Sequence, residues 1–118
     1  MKVGIDIIEI ERLKGKDSES FLNKYFSKNE IDYINSKNNR LETIAGIFSC
    51  KEAVLKAFKI GIGKGVKLKD ISISHTENVP FLEENEVVKK LKEDYNIKEI
   101  DVSISHSNTN AISICIIQ

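Results

Sequence analysis

The 118-residue chain is long enough for one hydrophobic core and too short for two ordinary domains, so residues 1–118 are expected to form a single domain. Hydrophobic residues make up 41% of it, and one Pro and six Gly exclude a linker-rich or collagen-like chain. Eighteen basic residues balance eighteen acidic ones, which removes the overall positive field expected of a nucleic-acid binder and leaves charge to be read locally. No signal peptide is recognisable, and no apolar run approaches the roughly 20 residues that cross a bilayer. Cys50 and Cys115 stand far apart with no Cys or His at ligand spacing, so both read as small buried apolar side chains in a reducing, cytoplasmic setting.

In chain order, residues 2 to 7 alternate as a half-buried strand, with Val3, Ile5 and Ile7 on one face and Gly4 and Asp6 on the other. This puts Asp6 near a strand end, facing away from the core. Phe21, Leu22, Tyr25 and Phe26 recur at helical spacing, and Ser27 with Glu30 forms a capping box for a second short helix carrying Ile31 and Ile34. Asn39 and Glu42 can cap a longer helix with Leu41, Ile44, Ala45, Phe48 and Leu55 on its apolar stripe, stopping at Gly61. Asp70 to His75 reads as a strand, Pro80 to Leu82 as a short edge strand, and Val87, Val88 and Leu91 as one face of another helix. Val102 to His106 and Ala111 to Ile117 flank a polar Ser107-Asn108-Thr109-Asn110 turn, the pattern of a hairpin. The order predicts an α+β fold, a small antiparallel sheet packed with helices. Asp70–His75 and Asp101–His106 echo one another, but their flanks do not repeat.

Glu52 and Lys56, four apart on the longest predicted helix, share a face, so an anion there would meet a metal ligand and an ammonium together. Alone, they read first as an ordinary surface ion pair, since such helix pairs are common. Lys51 precedes them by one residue, and the helix runs into Gly61-Ile62-Gly63-Lys64-Gly65, where bare amides and Lys64 can approach a phosphate. That run lacks nucleotide-loop spacing and alone reads as a helix stop and turn. Asp6 is a second oxygen ligand, or a cap for the next helix. Two carboxylates suit Mg²⁺, which is usually held by one or two of them with water and substrate phosphate. Alternation turns Ser103 and Ser105 away from His106, against a Ser-His dyad, and His75 reads as a strand-end histidine with a solvent or backbone partner.

Three blocks stand in order: Gly4-Ile5-Asp6-Ile7-Ile8-Glu9-Ile10 through Arg12; Phe48-Ser49-Cys50-Lys51-Glu52-Ala53 through Lys56-Ala57 with Gly61-Ile62-Gly63; and Ser103-Ile104-Ser105-His106. Together they resemble the holo-acyl-carrier-protein synthases, the short bacterial phosphopantetheinyl transferases. The resemblance implies transfer of the 4′-phosphopantetheine arm of coenzyme A to a serine of an apo-acyl carrier protein, releasing adenosine 3′,5′-bisphosphate. By position, Asp6 and Glu52 would hold Mg²⁺, Lys56 would neutralise developing charge, and a carboxylate or metal-bound water would take the serine proton. Gly61, Gly63, Lys64 and His106 fall on the coenzyme-binding positions, again by resemblance. It further implies a homotrimer with the coenzyme between subunits and an acidic carrier docked on a basic first helix beginning at Arg12 and Lys14. Between Glu11 and Lys28 five basic residues face three acidic ones, a surplus of two, and Gly15 and Asp17 interrupt that helix. Ile47 occupies a position where relatives often carry a basic residue, a contact that Arg40 or Lys64 would have to replace.

Two other readings use the same residues. A non-catalytic carrier-protein or nucleotide-binding module would keep the fold without turnover. A metal-assisted phosphohydrolase would use the carboxylates with water in place of a protein acceptor.

Overall fold

The computed structural model describes residues 1–38, 40–61 and 65–118. Strand β1 (Lys2–Glu9) leads through a 3₁₀ turn, Ile10–Leu13, to helices α1 (Glu19–Tyr25), α2 (Lys28–Ser36) and α3 (Leu41–Ala57). A second 3₁₀ turn, Leu68–Asp70, precedes β2 (Ile73–Thr76), β3 (Val79–Leu82), α4 (Glu86–Asp94), β4 (Ile100–His106) and β5 (Asn110–Ile117). Strands β1, β5 and β4 form an antiparallel sheet in that order, and β2 pairs with β3 alone. This is the α+β arrangement expected.

Local chemistry explains most element starts. Ser18 Oγ accepts from Phe21 N at 3.2 Å to open α1, and Asn85 Oδ1 accepts from Val88 N at 2.9 Å to open α4. The Ser27–Glu30 capping box forms in full at the start of α2. Asn39, the expected cap of α3, lies outside the described residues, and Arg40 at the N-cap makes no side-chain cap. Helix α3 ends at Ala57 rather than Gly61, because Lys59 turns to a left-handed φ of 59° and its N–H bonds the Lys56 carbonyl.

The sheet lies across α3, and small residues decide how closely. Gly46, Ser49, Cys50, Ala53 and Ala57 line the buried side of the helix. A side-chain carbon on Gly4 would fall 2.0 Å from the Ala53 carbonyl oxygen and 2.4 Å from Ala57 N, so only glycine lets β1 come this near. Ser49 Oγ donates to the Gly46 carbonyl and lies 2.5 Å from Ser113 Oγ, tying α3 to β5.

This contact reverses the expected orientation of β1. Gly4 faces the helix with Asp6 on the same side, mid-strand, whereas Val3, Ile5 and Ile7 are 52%, 55% and 64% exposed. A helix surface of Gly, Ser and Ala accepts the small-residue face of the strand and leaves the isoleucines outside.

The echoed segments take different structures. Asp70 sits in a 3₁₀ turn and the following strand begins only at Ile73, whereas Asp101 lies inside β4. β2 and β3 form a two-residue hairpin with Glu77 and Asn78 at φ of 51° and 66°, a primed turn without the usual glycine. Pro80 is tolerated because the β2–β3 pair has no third strand. Cys50 and Cys115 are free and buried, and burial pushes both thiols up to about 12. Among the described residues no helix is long and apolar enough to cross a membrane.

Candidate active site

Asp6, Glu52 and Lys56 meet where β1 crosses the C-terminal half of α3. Lys56 Nζ donates to Asp6 Oδ1 at 2.9 Å, and the Asp6 side chain is only 16% exposed. Burial, followed by the negative charge of Asp6, pushes the Glu52 carboxyl above its ordinary value, while Lys56 pulls it back. Two carboxylates are thus held near one another with one ammonium between strand and helix. The Gly4 contact produces this arrangement, since it brings β1 against the turn of α3 that carries Glu52 and Lys56.

The donor set suits a hard divalent cation, which is usually held by one or two carboxylates together with water and phosphate oxygens. Among the described residues no three His, Cys, Asp or Glu side chains converge into a protein cage.

Lys51 does not join this cluster. It points into the core, fully buried, and its ammonium lies 2.5 Å from Glu30 Oε1. One residue along a helix is a rotation of about 100°, which separates Lys51 from the Glu52–Lys56 face.

His106 lies elsewhere. It ends β4 and, with Ile104, lines a crevice of about 160 Å³ closed by Glu42, Gly46 and Ile47 of α3, Tyr33 of α2, and the β2–β3 hairpin. Gly46 precedes Glu52 by six residues, roughly 9 Å along the helix, and β5 stands between the β4 strand of His106 and the β1 strand of Asp6, so one chain holds His106 apart from the carboxylates. The crevice excludes Ser103 and Ser105, as strand alternation requires. His75 lies in its wall, with its ring stacked on Tyr33 at 3.8 Å and 3° rather than on a solvent or backbone partner. Among the described residues its buried Nδ1 has no hydrogen-bond partner, and burial, then Lys37, lowers its pKa. Tyr33 and Asn78 were not singled out in the sequence, which carries no motif for them, and Glu42 was read only as part of a helix cap. Only the packing of α2 and the hairpin over α3 collects them.

Gly61 is exposed past the end of α3, while Gly63 and Lys64 lie outside the described residues. Arg12 belongs to the 3₁₀ turn rather than a helix, 3.8 Å from Glu9, and Lys14 follows it, exposed. Lys16 and Lys24 lie over the rings of Phe21 and Tyr25.

Residues 2–115 match the 4′-phosphopantetheinyl transferase superfamily. The chain belongs to that superfamily. Among its relatives, the holo-[acyl-carrier-protein] synthase of Caldicellulosiruptor saccharolyticus is 43% identical over 97% of this chain and 93% of its own. That of Finegoldia magna is 38% identical over 99% and 95%. The crystal structure of the Helicobacter pylori holo-[acyl-carrier-protein] synthase in complex with coenzyme A shares 31% identity, covers 98% of this chain and 99% of that one, and superposes with a TM-score of 0.83. The match runs from the start of β1 to within two residues of the end of β5.

Proposed function

We propose that residues 1–118 are a single holo-[acyl-carrier-protein] synthase domain that transfers the 4′-phosphopantetheine arm of coenzyme A to a serine of apo-acyl carrier protein. The observation that carries this reading is the Asp6–Glu52–Lys56 cluster on a chain whose near full-length relatives are synthases of that name. The acceptor serine oxygen forms a bond to the phosphorus bearing the pantetheine arm. The bond from that phosphorus to adenosine 3′,5′-bisphosphate breaks, and the serine proton leaves to a base.

Asp6 and Glu52 are the residues that would hold Mg²⁺, which when bound supplies charge neutralisation at the pyrophosphate. Lys56, paired with Asp6 and 54% exposed, is placed to shift toward the leaving phosphate and offset its charge. A carboxylate of this cluster is the base that would take the serine proton. The crevice at His106, together with Gly61, Gly63 and Lys64, would take the rest of the coenzyme.

The outer face of the sheet supports self-association into a homotrimer. Val3, Ile5 and Ile7 of β1 lie beside Ile116, Ile114 and Ile112 of β5, a contiguous apolar face of the kind that marks an interaction surface. A neighbouring subunit would also bring a His106 crevice to the carboxylates that the first subunit's own does not reach. Arg12 and Lys14 are the proposed edge of the carrier dock, with the reading that the carrier is acidic and the setting cytoplasmic.

Intact-mass spectrometry of an apo-acyl carrier protein incubated with the protein, coenzyme A and Mg²⁺ tests the reaction. A gain of one phosphopantetheine arm that a chelator abolishes is expected. No gain with several carriers, from folded protein, would establish the non-catalytic binding module instead.

A further inference from the structure

The core contains a second pair of charges that the proposed reaction does not use. Glu30 of α2 and Lys51 of α3 are both 0% exposed, and their 2.5 Å contact crosses the interior. The Glu30 carboxylate also accepts from Ser27 N at 2.9 Å and Ile73 N at 2.8 Å, so three donors converge on it from its own cap, the start of β2, and α3. The Lys51 ammonium lies 5.2 Å from the centre of the Phe26 ring. Neither side chain lines the His106 crevice.

Stability is a poor reason for such a pair, because desolvating two charges offsets much of their attraction and apolar residues of similar volume do as well. What the pair supplies is direction. An apolar side chain at position 51 packs acceptably over a range of helix rotations, whereas the Lys51 ammonium finds its acceptor at one. Glu30 is in turn fixed by two backbone donors on different elements, so the reference point itself is rigid. The next residue after Lys51 is Glu52, and Lys56 lies a little over one turn on.

We propose that Glu30 and Lys51 form a positioning pair that sets the rotation of α3 so that Glu52 and Lys56 face Asp6. The inference rests on the transferase reading of that cluster. A displacement of about 1 Å at such groups is enough to cost about 100-fold in rate.

The test is a kinetic cycle on the intact protein with coenzyme A, Mg²⁺ and apo-acyl carrier protein. Glu30→Gln with Lys51→Met removes both charges together, and the amide oxygen still accepts from one of the two backbone donors. This double variant should stay folded by circular dichroism and lose about 100-fold in kcat with the coenzyme KM changed by less than about threefold. Adding Glu52→Gln to it should lower turnover only to the level of Glu52→Gln alone and no further, because the pair acts through Glu52. A folded double variant with kcat within about threefold of the wild type overturns the proposal, as does a loss that Glu52→Gln then multiplies in full. If the double variant unfolds, Lys51→Arg, which keeps the charge but changes its reach, runs through the same cycle with the same deciding outcomes. No turnover by the wild type overturns the transferase reading itself, and this inference with it.

Discussion

Glu52 shows how much of the candidate chemistry is set by immediate neighbours. Its pKa is raised first by burial and then by Asp6, against the pull of Lys56. A carboxyl that holds its proton more tightly folded than unfolded adds stability below its unfolded pKa, and that contribution is lost as pH rises through the folded value. ¹³C NMR titration of the glutamate side chains should therefore place Glu52 above the ordinary 4.5. Asp6→Asn should move it down by removing a like charge, and Lys56→Met should move it up. An unchanged Glu52 titration in both variants would mean that the three groups do not share a site. Glu52 and Lys56 were legible as a pair from their spacing. Lys51 was not, since adjacent helix residues point about 100° apart and only the position of Glu30 shows which way the core lies.

Among the elements, the crossing of β1 over α3 matters most. Gly4 meets backbone atoms of Ala53 and Ala57, which cannot swing aside as a flexible side chain would. Gly4→Ala should force the strand off the helix at a cost of about 1–3 kcal/mol. For a chain of this length that lowers the melting temperature by several degrees in a calorimetric or circular-dichroism melt, at roughly 3–5 °C per kcal/mol. Turnover should fall as well, because the Asp6–Lys56 contact depends on the same approach. A melting temperature equal to the wild type would show that β1 has room to spare. The caps at Ser18, Ser27 and Asn85 make the short helices local in origin, and Ser27 with Glu30 was readable directly. The β2–β3 hairpin was not, because Glu77-Asn78 lacks the glycine that normally advertises a primed turn.

At the scale of the whole molecule, the exposed isoleucine face and the distant His106 crevice lead to the same expectation. The face wants a cover of equal hydrophobicity, and the carboxylates lack the part of the coenzyme site that begins some 9 Å along α3, at Gly46. Ile5→Asp, with its side chain 55% exposed, should leave the protomer folded but shift sedimentation velocity from trimer to monomer and abolish turnover. A variant that sediments as the wild type would remove this face from the assembly. On this reading the activity belongs to the oligomer, which answers how so short a chain encloses a large coenzyme.

The sequence by itself determined the α+β order, the hairpin at the C-terminus, the Ser27–Glu30 capping box and the three blocks that lead to the superfamily, because these rest on local periodicity and on residue types at fixed spacing. Tertiary structure alone decided which face of β1 is buried, since alternation is symmetric and only the Gly46–Ala57 surface of α3 selects the side bearing Gly4 and Asp6. It alone paired Lys51 with Glu30 across 21 residues and set His106 apart from Asp6. Those are relations between distant segments, fixed by close packing rather than by any pattern that a run of neighbouring residues can carry.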